Sequence, residues 1–280
     1  GRVYIVMASS ISAFGAVAIP SITTADVIIN GPVSGQLGHS VAKVGDVNGG
    51  GTPDILVGAS NASGGQGEAY LFFGEDVATA SNLDVDTDAS VLFTAEFPGD
   101  ELGVRVGTSG DIDADGLPDI LAGAPSNGSE LEPRTGRAYL MKATSITGTS
   151  HSMGVDADWL FNGSTANDLA GHALDTLGDI NHDGYSEFAI AAKGQDTYGI
   201  NSGMVYVFNG AELPIFRTVA LADAWYKLGG QTAGDRAGHA LSGAGDIDSD
   251  GRGDILVSAH AHDSVGPSSG RTYLVLGDSL

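Results

Sequence analysis

An all-β chain built from repeated four-stranded antiparallel units is the fold this sequence predicts, and three observations predict it. An acidic nonapeptide recurs four times at nearly equal spacing, a short apolar run follows every copy, and a Gly-x-x-Tyr signature recurs in step with both. The chain of 280 residues contains 43 Gly and no Cys, so glycine-rich turns rather than cross-links punctuate it.

The nonapeptides occupy residues 46–54 (DVNGGGTPD), 111–119 (DIDADGLPD), 179–187 (DINHDGYSE) and 246–254 (DIDSDGRGD), so their first residues lie 65, 68 and 67 apart. Oxygen-bearing side chains stand at loop positions 1, 3, 5 and 9, with Gly at position 6, which is how a short backbone wraps a hard cation. Ca²⁺ takes about six to eight oxygen ligands. The second copy offers Asp111, Asp113, Asp115 and Asp119, with the backbone carbonyl of Leu117 as a fifth donor. The third offers Asp179, Asn181, Asp183, Glu187 and the carbonyl of Tyr185. The fourth offers Asp246, Asp248, Asp250, Asp254 and the carbonyl of Arg252. Glycine at the sixth position supplies the turn, because a residue without Cβ tolerates positive φ.

The first copy is deficient. Gly50 stands where a fifth-position carboxylate belongs, leaving Asp46, Asn48, Asp54 and the carbonyl of Thr52. Three strong Ca²⁺ sites and one weak, water-completed or empty site are therefore expected. A solvated turn explains one acidic loop, but not four in register. An EF-hand shares the D-x-D-x-D-G opening, yet it needs a bidentate Glu at position 12 and flanking helices. Position 12 here is Val57, Ala122, Ile190 and Val257, inside strand-like runs, so each loop joins two strands.

The other elements of the repeat follow in order. Upstream of the loops stand Leu37-Gly38-His39, Leu102-Gly103-Val104, Ala170-Gly171-His172 and Ala237-Gly238-His239, each opening a first strand. The apolar run after the loop is the second strand, closed by small residues such as Gly58-Ala59-Ser60 and Gly123-Ala124-Pro125. The third strand carries Gly-x-x-Tyr five times, ending at Tyr4, Tyr70, Tyr139, Tyr206 and Tyr273. A more variable fourth strand is read at Val27-Ile28-Ile29, Val91-Leu92-Phe93, Trp159-Leu160-Phe161 and Trp225-Tyr226-Lys227-Leu228. Four-stranded units with small connections are the pattern of β-propeller blades.

With those elements in order, nearly the whole chain resembles the FG-GAP repeats of integrin α-subunit propellers and their bacterial relatives. It departs from them where Leu or Ala replaces the Phe of the "FG" element, and where Gly-Ala-Pro survives only at residues 123–125. The resemblance implies Ca²⁺ bound by the loop side chains, bracing adjacent strands on one face of a ring. It places recognition on the opposite face and on the least repeated loops, residues 126–135, 142–156 and 261–269.

The expected organisation is a single propeller or propeller fragment over 1–280, with incomplete blades at both ends. Residues 1–33 supply strands three and four of one blade, 34–98, 99–166 and 167–233 are full blades, and 234–280 supply strands one to three of another. An integrin-like ring of seven blades would need on the order of 470 residues at this period. A piece of a longer propeller is preferred to a chain that exchanges strands with its neighbours.

The net charge of −23 opposes nucleic-acid and anionic-membrane partners by repulsion. Thirteen of the 35 carboxylates lie in the four loops, where bound Ca²⁺ would cancel much of their charge. No apolar run reaches the length of a membrane span, and the N-terminus lacks the order of a signal peptide. Ca²⁺ sites of modest affinity point to an extracellular or cell-surface location. No G-x-S-x-G elbow, phosphate loop or H-E-x-x-H motif is present. The leading functional expectation is thus a secreted or surface, non-catalytic module for adhesion, ligand recognition or extracellular assembly. Its partners would be a protein or glycan on the cell surface or matrix, or further copies meeting through open blade edges. The propeller of a secreted hydrolase or polysaccharide lyase, and an architectural filament subunit, are the alternatives.

Several residues invite sharper readings than they support. Arg252-Gly253-Asp254 spells an adhesive tripeptide, but Asp254 belongs to a loop. His39, His172 and His239 share one repeat position and are read as packing residues, as are Trp159 and Trp225. His260, His262 and Asp263 match no zinc spacing.

Overall fold

Runs of β-branched and aromatic residues bounded by glycine-rich turns pleat into strands. The computed structural model describes residues 1–8, 10, 25–128, 134–264 and 266–280. Much of the first partial blade between its two strands, and the centre of the 126–135 loop, lie outside the described residues. Two strands open the chain, β1 (Arg2–Ile5) and β2 (Val27–Asn30). The next repeat supplies β3 (Leu37–Gly45), β4 (Asp54–Ala59), β5 (Glu68–Phe72), β6 (Asn82–Asp84) and β7 (Val91–Thr94). The second supplies β8 (Arg105–Gly110), β9 (Asp119–Ala124), β10 (Arg137–Met141), β11 (Ser150–Ser152) and β12 (Trp159–Asn162). The third supplies β13 (Ala170–Gly178), β14 (Glu187–Ala192), β15 (Met204–Asn209), β16 (Thr218–Ala220) and β17 (Tyr226–Gly229). The last comprises β18 (Ala237–Gly245), β19 (Asp254–Ala259) and β20 (Arg271–Val275).

Sheet order β3-β4-β5-β7 recurs as β8-β9-β10-β12 and β13-β14-β15-β17, antiparallel at each step. The register repeats too: Val57 faces Tyr70, Ala122 faces Tyr139, and Ile190 faces Tyr206. The first sheet, β1-β2-β6, and the last, β18-β19-β20, have three strands each.

The repeat pattern predicts four antiparallel strands per unit, and the structure adds a short fifth. The segments β6, β11 and β16, which link third to fourth strands, cross over and pair in parallel with the outer strand of the preceding sheet. Ile29 faces Leu83, Phe93 faces His151, and Phe161 faces Val219. An outer strand would otherwise present unpaired N–H and C=O groups, and the crossing segment covers them. Three residues are too few to show a strand's period of two in sequence, so these strands escaped the sequence reading.

The apolar core lies between sheets rather than within one. Leu71 and Phe93 of one sheet pack with Ile120 and Tyr139 of the next, and Leu140 and Phe161 with Phe188 and Phe208 of the one after. Phe161 meets Phe208 edge-on at 4.8 Å across that second seam. Sheets covered on both faces explain why every residue of β9, β14 and β15 is buried. Where no further sheet lies alongside, the same positions are bare: Leu256 and Leu274 are 36% and 45% exposed, whereas their equivalents Leu121 and Leu140 are 0% exposed.

Backbone contact knits the seams. Gly67, Gly136 and Gly203, the glycines of Gly-x-x-Tyr, form parallel bridges to Leu102, Ala170 and Ala237, the residues that open the next repeat. A Cβ at Gly67 would lie 2.2 Å from Leu102 N, and its φ of +86° is left-handed, so glycine is required on both counts. The inner strands β3, β8, β13 and β18 stand side by side and line a cleft of about 320 Å³. This arrangement sets all four nonapeptide loops at one end of the inner strands.

Candidate metal centres in the nonapeptide loops

Each loop begins where an inner strand stops and ends where the second strand starts, so two adjacent strands fix both of its termini. The four backbones repeat one another. Position 4 is left-handed in all four, at Gly49, Ala114, His182 and Ser249, with φ between 58° and 71°. Position 6 is glycine with φ of 90° to 93°. The first Asp holds this shape by accepting from the turn: Gly116 N donates to Asp111 at 2.9 Å, and Gly51, Gly184 and Gly251 donate likewise to Asp46, Asp179 and Asp246. The fifth residue accepts from the seventh amide, with Leu117 N to Asp115, Tyr185 N to Asp183 and Arg252 N to Asp250.

The structure gathers Asp111, Asp113 and Asp115, and again Asp246, Asp248 and Asp250, with one carboxylate oxygen of each residue within 4.8 Å of the other two. In the third loop Asn181 takes the middle place, and its amide nitrogen donates to Asp183 at 2.9 Å and to Glu187 at 3.3 Å. Three carboxylates held this close repel one another, and positive charge offsets that beyond what the turn amides supply. The cation that the second loop has is Lys142 Nζ, 3.5 Å from Asp113 Oδ2. Asp113 Oδ1 and Asp46 Oδ1 are shielded from solvent and accept no hydrogen bond. The position 7 carbonyls of Thr52, Leu117, Tyr185 and Arg252 accept none from a described residue. Orphaned, all-oxygen acceptors of this kind fit a hard divalent cation, and exclude a soft one.

The ninth-position acids are set apart from the clusters. Asp54, Asp119, Glu187 and Asp254 are each 0% exposed. Three of them accept two backbone amides from different elements: Asp119 from Ile112 at 3.0 Å and Ala143 at 2.8 Å, Asp54 from Val47 and Gly74, and Asp254 from Ile247 and Gly277. Glu187 takes Ile180 N at 2.9 Å and the Asn181 amide. The three aspartates therefore tie their loops to the third strand's end, Glu187 closes its own loop, and an ionised carboxylate with about four lone-pair sites keeps acceptors to spare. Burial pushes Asp119 and Glu187 up to about 7 against the pull of those amides, and raises Asp54 as well.

The first loop contains a residue that the sequence reading missed. Glu75, two positions beyond the residue that faces Asp54 in the sheet, accepts from Asn48 Nδ2 at 2.8 Å and from Thr52 Oγ1 at 3.1 Å. A Cβ built on Gly50 would lie 2.7 Å and 2.8 Å from the two Glu75 oxygens. Glu75 thus brings a carboxylate to the place that the missing fifth-position side chain would fill. Its repeat equivalents are Thr144, Ala211 and Asp278, so the available signal was an acid at this place in the one repeat whose fifth loop position is glycine.

The other singled-out residues are dispersed. Arg252 Nη1 donates to Ile180 O at 2.9 Å, tying the fourth loop to the third, while Asp254 is buried, so the Arg-Gly-Asp triplet presents no joint surface. His262 Nε2 meets Gln231 at 3.0 Å, Asp263 accepts from Ser268 N at 2.6 Å, and His260 packs on His239. Trp159 Nε1 donates to Pro214 O at 2.8 Å, and Trp225 is 39% exposed.

A family model described as FG-GAP repeat matches residues 103–141 and 170–208, which contain the second and third loops with their flanking strands. Integrin alpha-V of Gallus gallus is 30% identical over 236 residues, 82% of this chain and 20% of that protein. Integrin alpha-PS2 of Drosophila melanogaster is 31% identical over 172 residues, 60% of this chain and 12% of that protein. Phosphatidylinositol-glycan-specific phospholipase D of Mus musculus is 27% identical over 191 residues, 65% of this chain and 21% of that protein. The chain therefore spans between 12% and 21% of the length of these curated relatives. No described helix is long and apolar enough to cross a membrane.

Proposed function

The chain belongs to the FG-GAP repeat, integrin-alpha-like family, and on that premise we propose that it is a calcium-stabilised β-propeller module that recognises a protein or glycan ligand outside the cell without catalysing a reaction. The single observation behind this reading is the close gathering of carboxylates in the second and fourth loops, with one shielded oxygen of Asp113 left without a donor. Bound Ca²⁺ would satisfy those oxygens and cancel the mutual repulsion, cross-linking first and second strands in a chain without disulfides. The donors are Asp111, Asp113, Asp115, Asp119 and the Leu117 carbonyl, with the corresponding sets in the third and fourth loops. In the first loop Glu75 stands in for the absent side chain of Gly50, beside Asp46, Asn48, Asp54 and the Thr52 carbonyl.

Titration calorimetry of chelator-treated protein with Ca²⁺ and with Mg²⁺ tests this reading. Saturable Ca²⁺ binding that raises the melting temperature supports it; Mg²⁺ binding more tightly than Ca²⁺, or neither binding, refutes it. Similarity to the phospholipase D supports an enzymatic second reading. The loop carboxylates are poor general acids when they serve as metal ligands, so a screen against phosphodiesters and glycans separates the two.

A further inference from the structure

At the end of the inner strands remote from the nonapeptide loops lies a cluster that metal binding does not use. His39, His172 and His239 each face the residue that follows the second strand of their own sheet. His39 Nδ1 meets Ser60 Oγ there. In the third repeat the facing residue is Lys193, whose Nζ lies 3.0 Å from His172 Nε2. A Lys193 ammonium at that distance donates to a neutral His172 ring. In the fourth repeat the facing residue is His260, its ring 3.8 Å from that of His239, and His239 in turn lies 5.3 Å from His172 across the seam. Burial first, then His260 and Lys193, then Arg105 at the start of β8 and Arg236 just before β18, hold His239 below the usual imidazole range.

Six nitrogen-bearing side chains from three successive sheets thus converge in a protein with 12 basic and 35 acidic residues. Acidic partners are nevertheless missing. Among the described residues, no carboxylate lies within 4.0 Å of a charged nitrogen of Arg105, Lys193 or Arg236. Arg105 Nε and His239 Nδ1 are shielded from solvent and have no hydrogen-bond partner. A buried donor without an acceptor is unfavourable, and charges of one sign gathered without a counter-ion are more so. Arg105 and Lys43 also line the cleft between the inner strands, where Asp175, the acid among its described lining residues, is already engaged by Ser242 Oγ at 3.0 Å and Gly243 N at 3.2 Å.

We propose that this cluster binds a compact oxyanion, the carboxylate or sulfate group of a ligand that docks at the end of the inner strands opposite the nonapeptide loops. Arg236 and His260 are exposed and meet the ligand first, Lys193 supplies an ammonium beside it, and the unpartnered Nε–H of Arg105 donates to its oxygens. Guanidinium and ammonium groups form short, charge-assisted hydrogen bonds to such an anion, roughly twice as strong as neutral ones. The ligand class is an acidic saccharide or an acidic peptide, which share this chemistry.

Inorganic sulfate and glucuronate, titrated by calorimetry into the wild-type chain at constant ionic strength, test the proposal. Both are expected to bind saturably. Arg236→Gln and Lys193→Gln should each weaken binding about tenfold or more, the loss of one charge-assisted bond. Lys227→Gln removes one exposed positive charge outside the cluster, where Lys227 Nζ donates to Ala222 O at 2.5 Å, and should leave binding unchanged. No saturable binding to wild type, affinity unchanged from wild type in the two cluster variants, or an equal loss in Lys227→Gln would each overturn the proposal. Displacement of glucuronate by an oligouronate or by a glutamate-rich peptide identifies the source of the oxyanion, and displacement by neither overturns the docking.

Discussion

Replacing Asp113 and Asp119 separately by alanine distinguishes a carboxylate that serves only as a metal ligand from one that also holds the metal-free loop together. Asp113 has one shielded oxygen without a partner and one 3.5 Å from Lys142 Nζ, so in the metal-free protein it contributes at most the ~0–1 kcal/mol of an exposed pair. Its removal also relieves repulsion from Asp111 and Asp115. With Ca²⁺ in excess, a tenfold loss of affinity at this loop lowers stability by about 1.4 kcal/mol through mass action, or roughly 3–6 °C in melting temperature for a domain of this size. Asp119 differs, because it is fully buried and accepts from Ile112 N and Ala143 N. Alanine there strands two buried amides at about 1–3 kcal/mol each, partly offset by the relief of a buried charge. Thermal or urea unfolding of both variants in Ca²⁺ and in chelator is the assay. Asp113→Ala should be destabilised in Ca²⁺ only, and Asp119→Ala in both conditions. Equal losses for Asp113→Ala with and without Ca²⁺, or no loss in Ca²⁺, would refute the assignment of Asp113 as a ligand.

Further outcomes are expected at three sites. Glu75→Ala should abolish Ca²⁺ binding at the first loop, read as one ion fewer by calorimetry; Gly50→Asp should restore it in that background and help little on its own, since the new side chain would collide with Glu75. Gly67→Ala should lower stability by at least ~2 kcal/mol in urea unfolding, because it forces a left-handed φ and drives a methyl into the Leu102 backbone. Burial, with Lys193 next in effect, pushes His172 down to about 3, whereas an unfolded chain protonates at the ordinary value near 6.5. Between those values the unfolded state binds the extra proton, so stability is lost as pH falls through this window, and His172→Gln should lose less than wild type between pH 6.5 and 5.

Much of the fold was legible because repetition turns weak local signals into strong ones. One Gly-x-x-Tyr or one acidic turn says little, but the tyrosines opposite Val57, Ala122 and Ile190 recur in the same register in which the sequence repeats them. The loop conformation followed from glycine at position 6, where φ of 90° to 93° leaves no alternative. The crossing strands β6, β11 and β16 were illegible for the opposite reason: three residues each, and a pairing partner in the preceding repeat rather than their own. Glu75 was missed because its contact with Gly50 joins residues 25 apart, through space that the spacing of one loop does not encode. The cluster around His172 and His239 reads as packing when each residue is taken singly, and its charge shows only once three sheets bring Arg105, Lys193 and Arg236 together.

The most direct measurement is the number of Ca²⁺ ions bound per chain by equilibrium dialysis of chelator-treated protein. Three ions held by the second, third and fourth loops, with a fourth that disappears in Glu75→Ala, is the expected result. Fewer than three ions, or a count unaltered when Asp113, Asp183 and Asp250 are replaced together by alanine, would contradict the assignment of these loops as the metal centres.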